Sequence, residues 1–159
     1  MSKEQKKSVL FVCLGNICRS PLAEAVFRHQ IKERGVEHLF RVESRGTGGW
    51  HVGGPAHPVT CQTAEGFGID MSTHQARQVS QQDLREFELV VAMDADNYSN
   101  LVRMGAVEGE QLVYLRAWDE QAGADISVPD PYFGGADGFV VVHKMIERSC
   151  SNLLDALLG

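Results

Sequence analysis

Residues 8–27 join the pattern of a buried strand to the pattern of a helix through one short loop. Residues 8–12, SVLFV, are almost entirely apolar, which predicts a strand that is covered on both faces. Ser20 is predicted to cap the following helix, with Pro21 at its first position and Gly35 at its end. The first predicted unit is therefore a strand, a loop and a helix.

The same alternation continues along the chain. Further strands are predicted at 40–44, 88–92 and 111–115. A helix is predicted to begin at Ser80, where Asp83 supplies an acidic variant of the capping box. Strands that alternate with helices favour a mostly parallel sheet.

Two more helices are predicted in the second half. The segment DNYSNLVRMG reads as a helix that Gly105 closes. The last segment has apolar side chains at spacings of three and four, which predicts a long amphipathic helix. These side chains are Phe139, Val142, Ile146, Cys150, Leu153 and Leu157. FVVVH alone resembles a strand, but the helical period extends well beyond it.

These elements predict one α/β domain over residues 1–159. The expected architecture is a three-layer α/β/α fold with flavodoxin-type winding, in which helices cover both faces of a central four-stranded parallel sheet. The chain has 159 residues, of which 43% are apolar, and this is enough to form one hydrophobic core. Ligands of such sheets bind beyond the carboxyl ends of the strands, where residues 13–20 are expected.

The net charge and the cysteines limit which partners and which cellular compartment are expected. The formal net charge is −6, and no long basic run occurs, so nucleic acid and anionic membranes are disfavoured as partners. No signal peptide or membrane span is expected. The four cysteines lack CxxC spacing, which predicts free thiols in a reducing compartment and a cytoplasmic protein.

The loop after the first strand has the pattern of an anion site. Cys13 and Arg19 are separated by five residues, and Gly15 and Asn16 suit a left-handed turn. Such a loop directs amide groups and a helix N-terminus toward one point, and Arg19 matches two phosphate oxygens. The positive potential would favour a Cys13 thiolate, a nucleophile toward phosphorus. The alternative is a buried cysteine and a surface arginine; a Walker loop is excluded because Gly-Lys-Ser/Thr is absent.

VLFVCLGNICRSP resembles the signature of the low-molecular-weight protein tyrosine phosphatases. The resemblance continues, in the family's order, through SRGTGGWHVGGP at 44–55, HQARQV at 74–79, LVVAMDADN at 89–97 and VPDPYFGG at 128–135. It implies hydrolysis of phosphotyrosine and aryl phosphates through a phosphocysteine, without metal or cofactor. The implied partners are tyrosine-phosphorylated proteins, with inorganic phosphate as product, and the protein is expected to be a monomer or to associate weakly.

Departure of a phenolate requires a proton donor, and Asp130 is the candidate. Pro129 and Pro131 stiffen the backbone around this carboxylate, although an Asp-Pro surface turn would look the same. Cys13, Arg19 and Asp130 are thus the predicted catalytic residues. Asp130 would protonate the leaving oxygen and then activate water.

Further residues are predicted to bind or support the phosphate. The predicted phosphate and substrate contacts are Leu14, Gly15, Asn16, Ile17, Cys18, Ser20, Trp50 and Tyr132. Ser44, His74 and Asp94 match supporting positions of the family, but they could equally be ordinary polar groups, and Asp94 a helix cap. Trp50 is a candidate pocket wall, with a buried core position as the alternative. Ile17 fits the tyrosine-specific relatives, because the phosphoarginine phosphatases carry threonine there.

Some residues depart from the family pattern or suggest regulation. Phe133 replaces the second tyrosine of many relatives, and Arg45 and His57 are expected to alter charge at the pocket entrance. The resemblance implies a reversible Cys13–Cys18 disulfide, with a small buried thiol at Cys18 as the alternative. Two other functions stay open: an arsenate reductase of this fold, and a catalytically silent phosphotyrosine-binding module.

Overall fold

The computed structural model describes residues 6–131 and 135–159. Its strands β1 (Lys7–Cys13), β2 (Phe40–Gly46), β3 (Leu89–Ala92) and β4 (Leu112–Tyr114) form one sheet in the order β2-β1-β3-β4. All neighbouring pairs are parallel. The predicted four-stranded parallel sheet is therefore confirmed, with strand ends shifted by one or two residues.

Helices connect the strands and follow the last one. They are α1 (Arg19–Glu33), α2 (Pro58–Gly66), α3 (Gln81–Glu86), α4 (Ala95–Met104) and α5 (Gly135–Leu158). Short 3₁₀ turns occupy Glu37–Leu39 and Leu115–Trp118.

Two cores lie on opposite faces of the sheet because successive side chains of a strand alternate. From β1, Val9 and Phe11 pack in one core with side chains of α1 and α5. Leu10 and Val12 pack in the other, with Leu84 of α3 and side chains of α4. The two cores give the three layers predicted from the sequence.

Aromatic packing fixes α1 on the sheet. The ring of Phe27 makes edge contacts with Phe11 at 5.7 Å and with Phe40 at 5.5 Å, between ring centroids. Each such pair contributes about 0.5–1.5 kcal/mol beyond the buried area. The contacts hold the middle of α1 against β1 and β2.

The prediction that Ser20 caps α1 is wrong. The helix begins at Arg19, Cys18 occupies the N-cap position without a side-chain capping bond, and Ser20 lies inside the first turn. The Ser20 hydroxyl instead contacts Cys13 and Asn16. The capping box of α3 is confirmed, since Ser80 and Asp83 exchange both bonds.

Within residues 6–131 and 135–159, no helix has the length and apolarity to cross a membrane.

Two further helices can be compared with the predictions. Helix α2 was not predicted from the sequence. The prediction that FVVVH is helical is confirmed, because it lies inside α5.

Candidate active site

Cys13 is the last residue of β1 and lies at the bottom of the loop that leads to α1. Its side chain is buried, and its Sγ atom lies 2.9 Å from Ser20 Oγ. The backbone N–H of Asn16 donates to the same sulfur at 3.3 Å. The loop therefore curls over the sulfur and directs polar groups at it.

Asn16 holds the shape of this loop. It is the one non-glycine residue of the described chain with a left-handed backbone, at φ 56°. Its Nδ2 donates to Ser20 Oγ at 2.8 Å and to Ser44 Oγ at 3.0 Å, and its Oδ1 accepts from the backbone N–H of Arg77 at 2.9 Å. His74 Nε2 lies 2.7 Å from the Asn16 carbonyl oxygen. The predicted residues Asn16, Ser20, Ser44 and His74 are thus brought together.

Gly15 does not share the left-handed conformation that the sequence predicted for it. Among non-glycine and glycine residues with positive φ in the described chain, Asn16 alone belongs to the loop between β1 and α1. A Cβ at Gly15 would lie 3.0 Å from the ring of His51. A side chain at position 15 would therefore have to displace the His51 ring, which is exposed.

Glu24 is a residue that the sequence analysis missed. Ser44 Oγ donates to Glu24 Oε1 at 2.7 Å, and Arg28 Nε donates to Glu24 Oε2 at 2.9 Å. The carboxylate thereby extends the hydrogen-bonded chain from Cys13 through Ser20, Asn16 and Ser44. Glu24 lies on α1 and Ser44 on β2, so no spacing within one segment of the sequence signalled this contact.

Arg19 lies buried at the start of α1. Its Nη1 donates to Asp94 Oδ2 at 2.7 Å and to the carbonyl oxygen of Val128 at 3.0 Å. Burial alone would lower the Arg19 pKa, but the charges of Cys13, Asp94 and Asp130 raise it overall. A permanent positive charge therefore lies beside the loop.

Both interpretations of Asp94 apply at once. Its Oδ1 accepts from the backbone N–H of Asn97 at 2.8 Å and so caps α4, while Oδ2 pairs with Arg19. One carboxylate thus ties α4 to the arginine of the loop.

The end of β2 borders the other side of the loop. The backbone N–H groups of Thr47 and Gly48 donate to the carbonyl oxygens of Cys13 and Leu14 at 2.9 and 2.8 Å. A Cβ at Gly46 would lie 2.8 Å from the Leu14 oxygen, so only glycine fits there. This contact fixes the depth of the loop against β2.

The loop after β1 and the segment after β2 carry the apolar side chains that were predicted to contact the substrate. Trp50 is 73% exposed, which excludes the alternative of a core tryptophan, and Leu14 is 49% exposed. Ile17 is half-buried. Tyr132 and Phe133 lie outside the described residues.

Asp130 is half-buried, at the end of an irregular segment. Its charge is a minor cause of the raised pKa of Arg19, behind the charges of Cys13 and Asp94. Burial, with the charges of Cys13 and Asp130, raises the Cys18 pKa to about 11. Cys18 is therefore a thiol at neutral pH.

Arg45 does not alter the charge of the pocket entrance as predicted. It is buried, and its guanidinium pairs with Glu43 at 2.7 Å and Asp83 at 3.4 Å. These carboxylates neutralise it because β2 turns the side chain toward α3. His57 is the N-cap of α2, where its Nδ1 accepts from Val59, and its ring stacks on Phe139.

Comparison with known proteins identifies the family. Residues 8–158 match the family model described as low molecular weight phosphotyrosine protein phosphatase. The chain belongs to this family. The match takes in the Cys13 loop, Arg19 and the segment that carries Asp130.

Individual members of the low molecular weight phosphatases agree over nearly the whole chain. A low molecular weight protein-tyrosine-phosphatase of Streptomyces coelicolor is 45% identical over 94% of this chain and 92% of its own. The human low molecular weight phosphotyrosine protein phosphatase is 36% identical over 98% of both. The crystal structure of YfkJ from Bacillus subtilis superposes with a TM-score of 0.89 at 38% identity, covering 99% of this chain and 98% of that one.

Oxidation of this phosphatase is expected to join Cys13 and Cys18. Both are free and buried, and the Cys13 charge acts on the Cys18 thiol. Peroxide would oxidise the Cys13 sulfur to a sulfenic acid. The Cys18 sulfur would then attack the Cys13 sulfur, so that a disulfide bond forms and the hydroxyl group leaves as water. Peptide mass spectrometry should then detect the disulfide, and a thiol reductant should restore activity. If peroxide instead leaves Cys18 free in the inactivated enzyme, the bond does not form; Cys61→Ser is the control.

Proposed function

We propose that this protein hydrolyses phosphotyrosine in proteins, and aryl phosphates in general, through a phosphocysteine on Cys13. One observation carries the proposal: the Cys13 sulfur lies under a loop that donates to it from Asn16 N–H, contacts it through Ser20 and continues into α1 at Arg19. The sulfur thus lies among hydrogen-bond donors at the start of a helix, where a nucleophile can attack a bound phosphate. The matched family is one of phosphoric monoester hydrolases, so the chain is an enzyme of that class.

The phosphate would bind between the loop amides and Arg19. The N-terminus of α1 attracts anions because its first amide groups and its dipole point at the loop. Arg19 uses Nη1 for Asp94 and Val128, so its Nε and Nη2 edge suits two phosphate oxygens. This arrangement would stabilise the charge that spreads over the equatorial oxygens in the transition state.

The reaction proceeds in two displacements. The thiolate attacks phosphorus, the phosphorus–oxygen bond to the aryl group breaks, and Asp130 gives its proton to the departing oxygen. Asp130, now a carboxylate, takes a proton from water as the water attacks phosphorus and the phosphorus–sulfur bond breaks. Inorganic phosphate leaves, and the thiolate and the protonated Asp130 are regenerated.

Depth provides the preference for tyrosine. Cys13 is 2% exposed, whereas Leu14 and Trp50, which we propose form the rim of the pocket, are exposed. A phosphate on a phenyl ring reaches such a sulfur while the apolar rim packs on the ring. Phosphoserine is too short to do both. We include Tyr132 in this proposed rim on the family resemblance alone.

We propose a cytoplasmic location and phosphorylated protein partners for this enzyme. All four cysteines are free thiols, in keeping with a reducing, cytoplasmic location. The proposed partners are tyrosine-phosphorylated proteins, met by a monomer or a weakly associating enzyme. No observation favours the arsenate reductase or the silent binding module over a phosphatase.

A quench experiment tests the proposal. The purified protein should release phosphate from a phosphotyrosine peptide and from p-nitrophenyl phosphate, and much less from the matched phosphoserine peptide. Acid quenching during turnover should trap one phosphoryl group on the peptide that contains Cys13. Turnover without any phosphorylated Cys13 peptide would contradict the mechanism.

Asp130→Ala is expected to lower kcat/KM for phenyl phosphate by about 10²–10⁴-fold, the range of general acid catalysis. The loss should shrink for 2,4-dinitrophenyl phosphate, because its leaving group departs without a proton. Steady-state kinetics with both substrates check this, and Glu120→Ala, which removes an exposed carboxylate in the same segment, is the control. An equal loss for both substrates would remove Asp130 as the acid.

A further inference from the structure

The segment that carries Asp130 lacks regular structure. Residues 119–130 contain neither helix nor strand, so no ladder of backbone hydrogen bonds fixes them. A general acid must nevertheless lie within hydrogen-bond reach of the oxygen that it protonates. The position of Asp130 therefore depends on the tertiary contacts of this segment.

Three contacts attach the segment just before Asp130. Val128 N–H donates to the carbonyl oxygen of Met93 at 2.6 Å, after the end of β3. Arg19 Nη1 donates to the carbonyl oxygen of Val128 at 3.0 Å. Arg116 Nη1 donates to the carbonyl oxygen of Ser127 at 2.9 Å. Two guanidinium groups thus hold consecutive carbonyl oxygens of the segment.

A buried carboxylate fixes Arg116. Arg116 Nε donates to Asp119 Oδ2 at 3.0 Å, and Arg148 Nε donates to Asp119 Oδ1 at 2.7 Å. The Asp119 side chain is 0% exposed. Although burial alone would raise the Asp119 pKa, Arg148, the Gln121 amide and Arg116 lower it, so the group is a carboxylate. We call these three side chains the Arg116–Asp119–Arg148 clamp.

The clamp connects the segment to a rigid element. Arg148 belongs to α5, whose inner face is buried in the core with side chains of α1 and β1. Buried ion pairs with good hydrogen bonds tolerate little displacement, because separation leaves a charge without compensation. Arg19 would share its guanidinium with the substrate phosphate, whereas Arg116 is buried and uses its Nε for Asp119 and its Nη1 for Ser127. The Arg116 bond to Ser127 would therefore persist through the catalytic cycle.

We propose that Arg116 is a positioning residue for Asp130, and that Asp119 and Arg148 hold it in place from α5. The inference rests on the proposed phosphatase function, because it concerns the acid of that reaction. Arg116 fixes the backbone three residues before Asp130 and does not contact the substrate. Its loss would displace the proton donor and leave the Cys13 loop intact.

The test compares leaving groups. Arg116→Met retains the volume but removes the donors to Asp119 and Ser127. We expect kcat/KM for phenyl phosphate to fall by roughly 10²-fold, the cost of misplacing a catalytic group by about 1 Å. The value for 2,4-dinitrophenyl phosphate should change little, because that leaving group needs no proton. The rate at which iodoacetate alkylates Cys13 should stay that of the wild type.

Further variants keep the result interpretable. Arg148→Met should lower kcat/KM for phenyl phosphate relative to that for 2,4-dinitrophenyl phosphate, but by less than Arg116→Met does. Arg116→Lys should retain part of the activity toward phenyl phosphate that Arg116→Met loses. Arg34→Met removes the salt bridge between Arg34, at the C-terminal end of α1, and Asp155 of α5, whose Nη1 and Oδ1 atoms lie 2.5 Å apart. This salt bridge lies far from residues 119–130 in sequence, so the variant should leave kcat/KM for both substrates unchanged. If Arg116→Met does not fold, Arg148→Met and Arg116→Lys decide.

The outcomes separate the two proposals. A loss confined to poor leaving groups supports the positioning role. An equal loss for both substrates, slower alkylation of Cys13, or no loss at all overturns it while leaving the phosphatase function intact. Absence of Cys13-dependent turnover in the wild type would overturn the proposed function, and the positioning role with it.

Discussion

Replacing Cys13 by serine is expected to abolish turnover, with a loss on the order of 10⁶-fold, the scale seen when a catalytic nucleophile is deleted. The sulfur accepts from the Asn16 amide and contacts the Ser20 hydroxyl, and in the proposed mechanism it is the atom that attacks phosphorus. A serine hydroxyl stays protonated in the same place because no general base adjoins it in this mechanism. Steady-state release of phosphate from p-nitrophenyl phosphate measures the loss.

The Cys13→Ser protein should still bind anions. Asn16 keeps the loop closed through Ser44 and Arg77, and Arg19 keeps its charge. A tyrosine-phosphorylated peptide should therefore bind to the variant without being hydrolysed, which makes the variant a trap for substrates. Isothermal titration with the peptide and with its unphosphorylated form tests this.

Cys61→Ser is the matched control. Cys61 is half-buried in α2, where its Sγ lies 3.8 Å from the carbonyl oxygen of Ala56. The substitution should leave turnover of p-nitrophenyl phosphate within about twofold of the wild type, because a conservative substitution at a half-buried position changes the free energy of unfolding only slightly. Turnover that persists in Cys13→Ser, or vanishes in Cys61→Ser, contradicts the assignment of the nucleophile.

Periodicity was sufficient to predict the strands and the long helices. The apolar faces of α1 and α5 and the apolar run of β1 are patterns within one segment. Their apolar side chains are buried as predicted, except Leu157 near the end of α5, which is partly buried. Helix α2 gave no such signal, because it buries only Thr60 and Ala64. A short helix with two small inward residues has no apolar period to detect.

Ser20 shows why a local pattern can mislead. Ser-Pro before an apolar period is an N-cap signature, yet the Ser20 hydroxyl lies among Cys13, Asn16 and the carbonyl oxygen of Arg45. Those partners come from β1, the loop and β2, and they meet only when the sheet has formed. A tertiary contact at the site thus outweighed a local preference worth about 1 kcal/mol.

The same reasoning separates the site residues that could be predicted from those that could not. Cys13 and Arg19 belong to one short motif, and Asp130 carries its own signal between two prolines. Glu24 and Arg116 act on the site only through Ser44 and Ser127. These long-range pairs are set by how α1 lies against β2, and by how the segment before Asp130 folds back, which no spacing reveals.

Arg19→Lys is expected to lower kcat/KM for p-nitrophenyl phosphate by about 10³–10⁵-fold, the contribution of an arginine to phosphoryl transfer. Lysine keeps the charge but not the planar fork, so it cannot hold Asp94, Val128 and two phosphate oxygens together. Since the equatorial charge develops in the transition state, kcat should fall more than KM rises. Steady-state kinetics separate the two constants.

Arg34→Lys is the matched control, because Arg34 also pairs with a carboxylate, that of Asp155, but at the other end of α1. It should leave both constants unchanged. An Arg19→Lys enzyme that differs from the wild type only in KM would show that Arg19 binds ground state and transition state equally. The guanidinium would then bind the phosphate group without stabilising the transition state further.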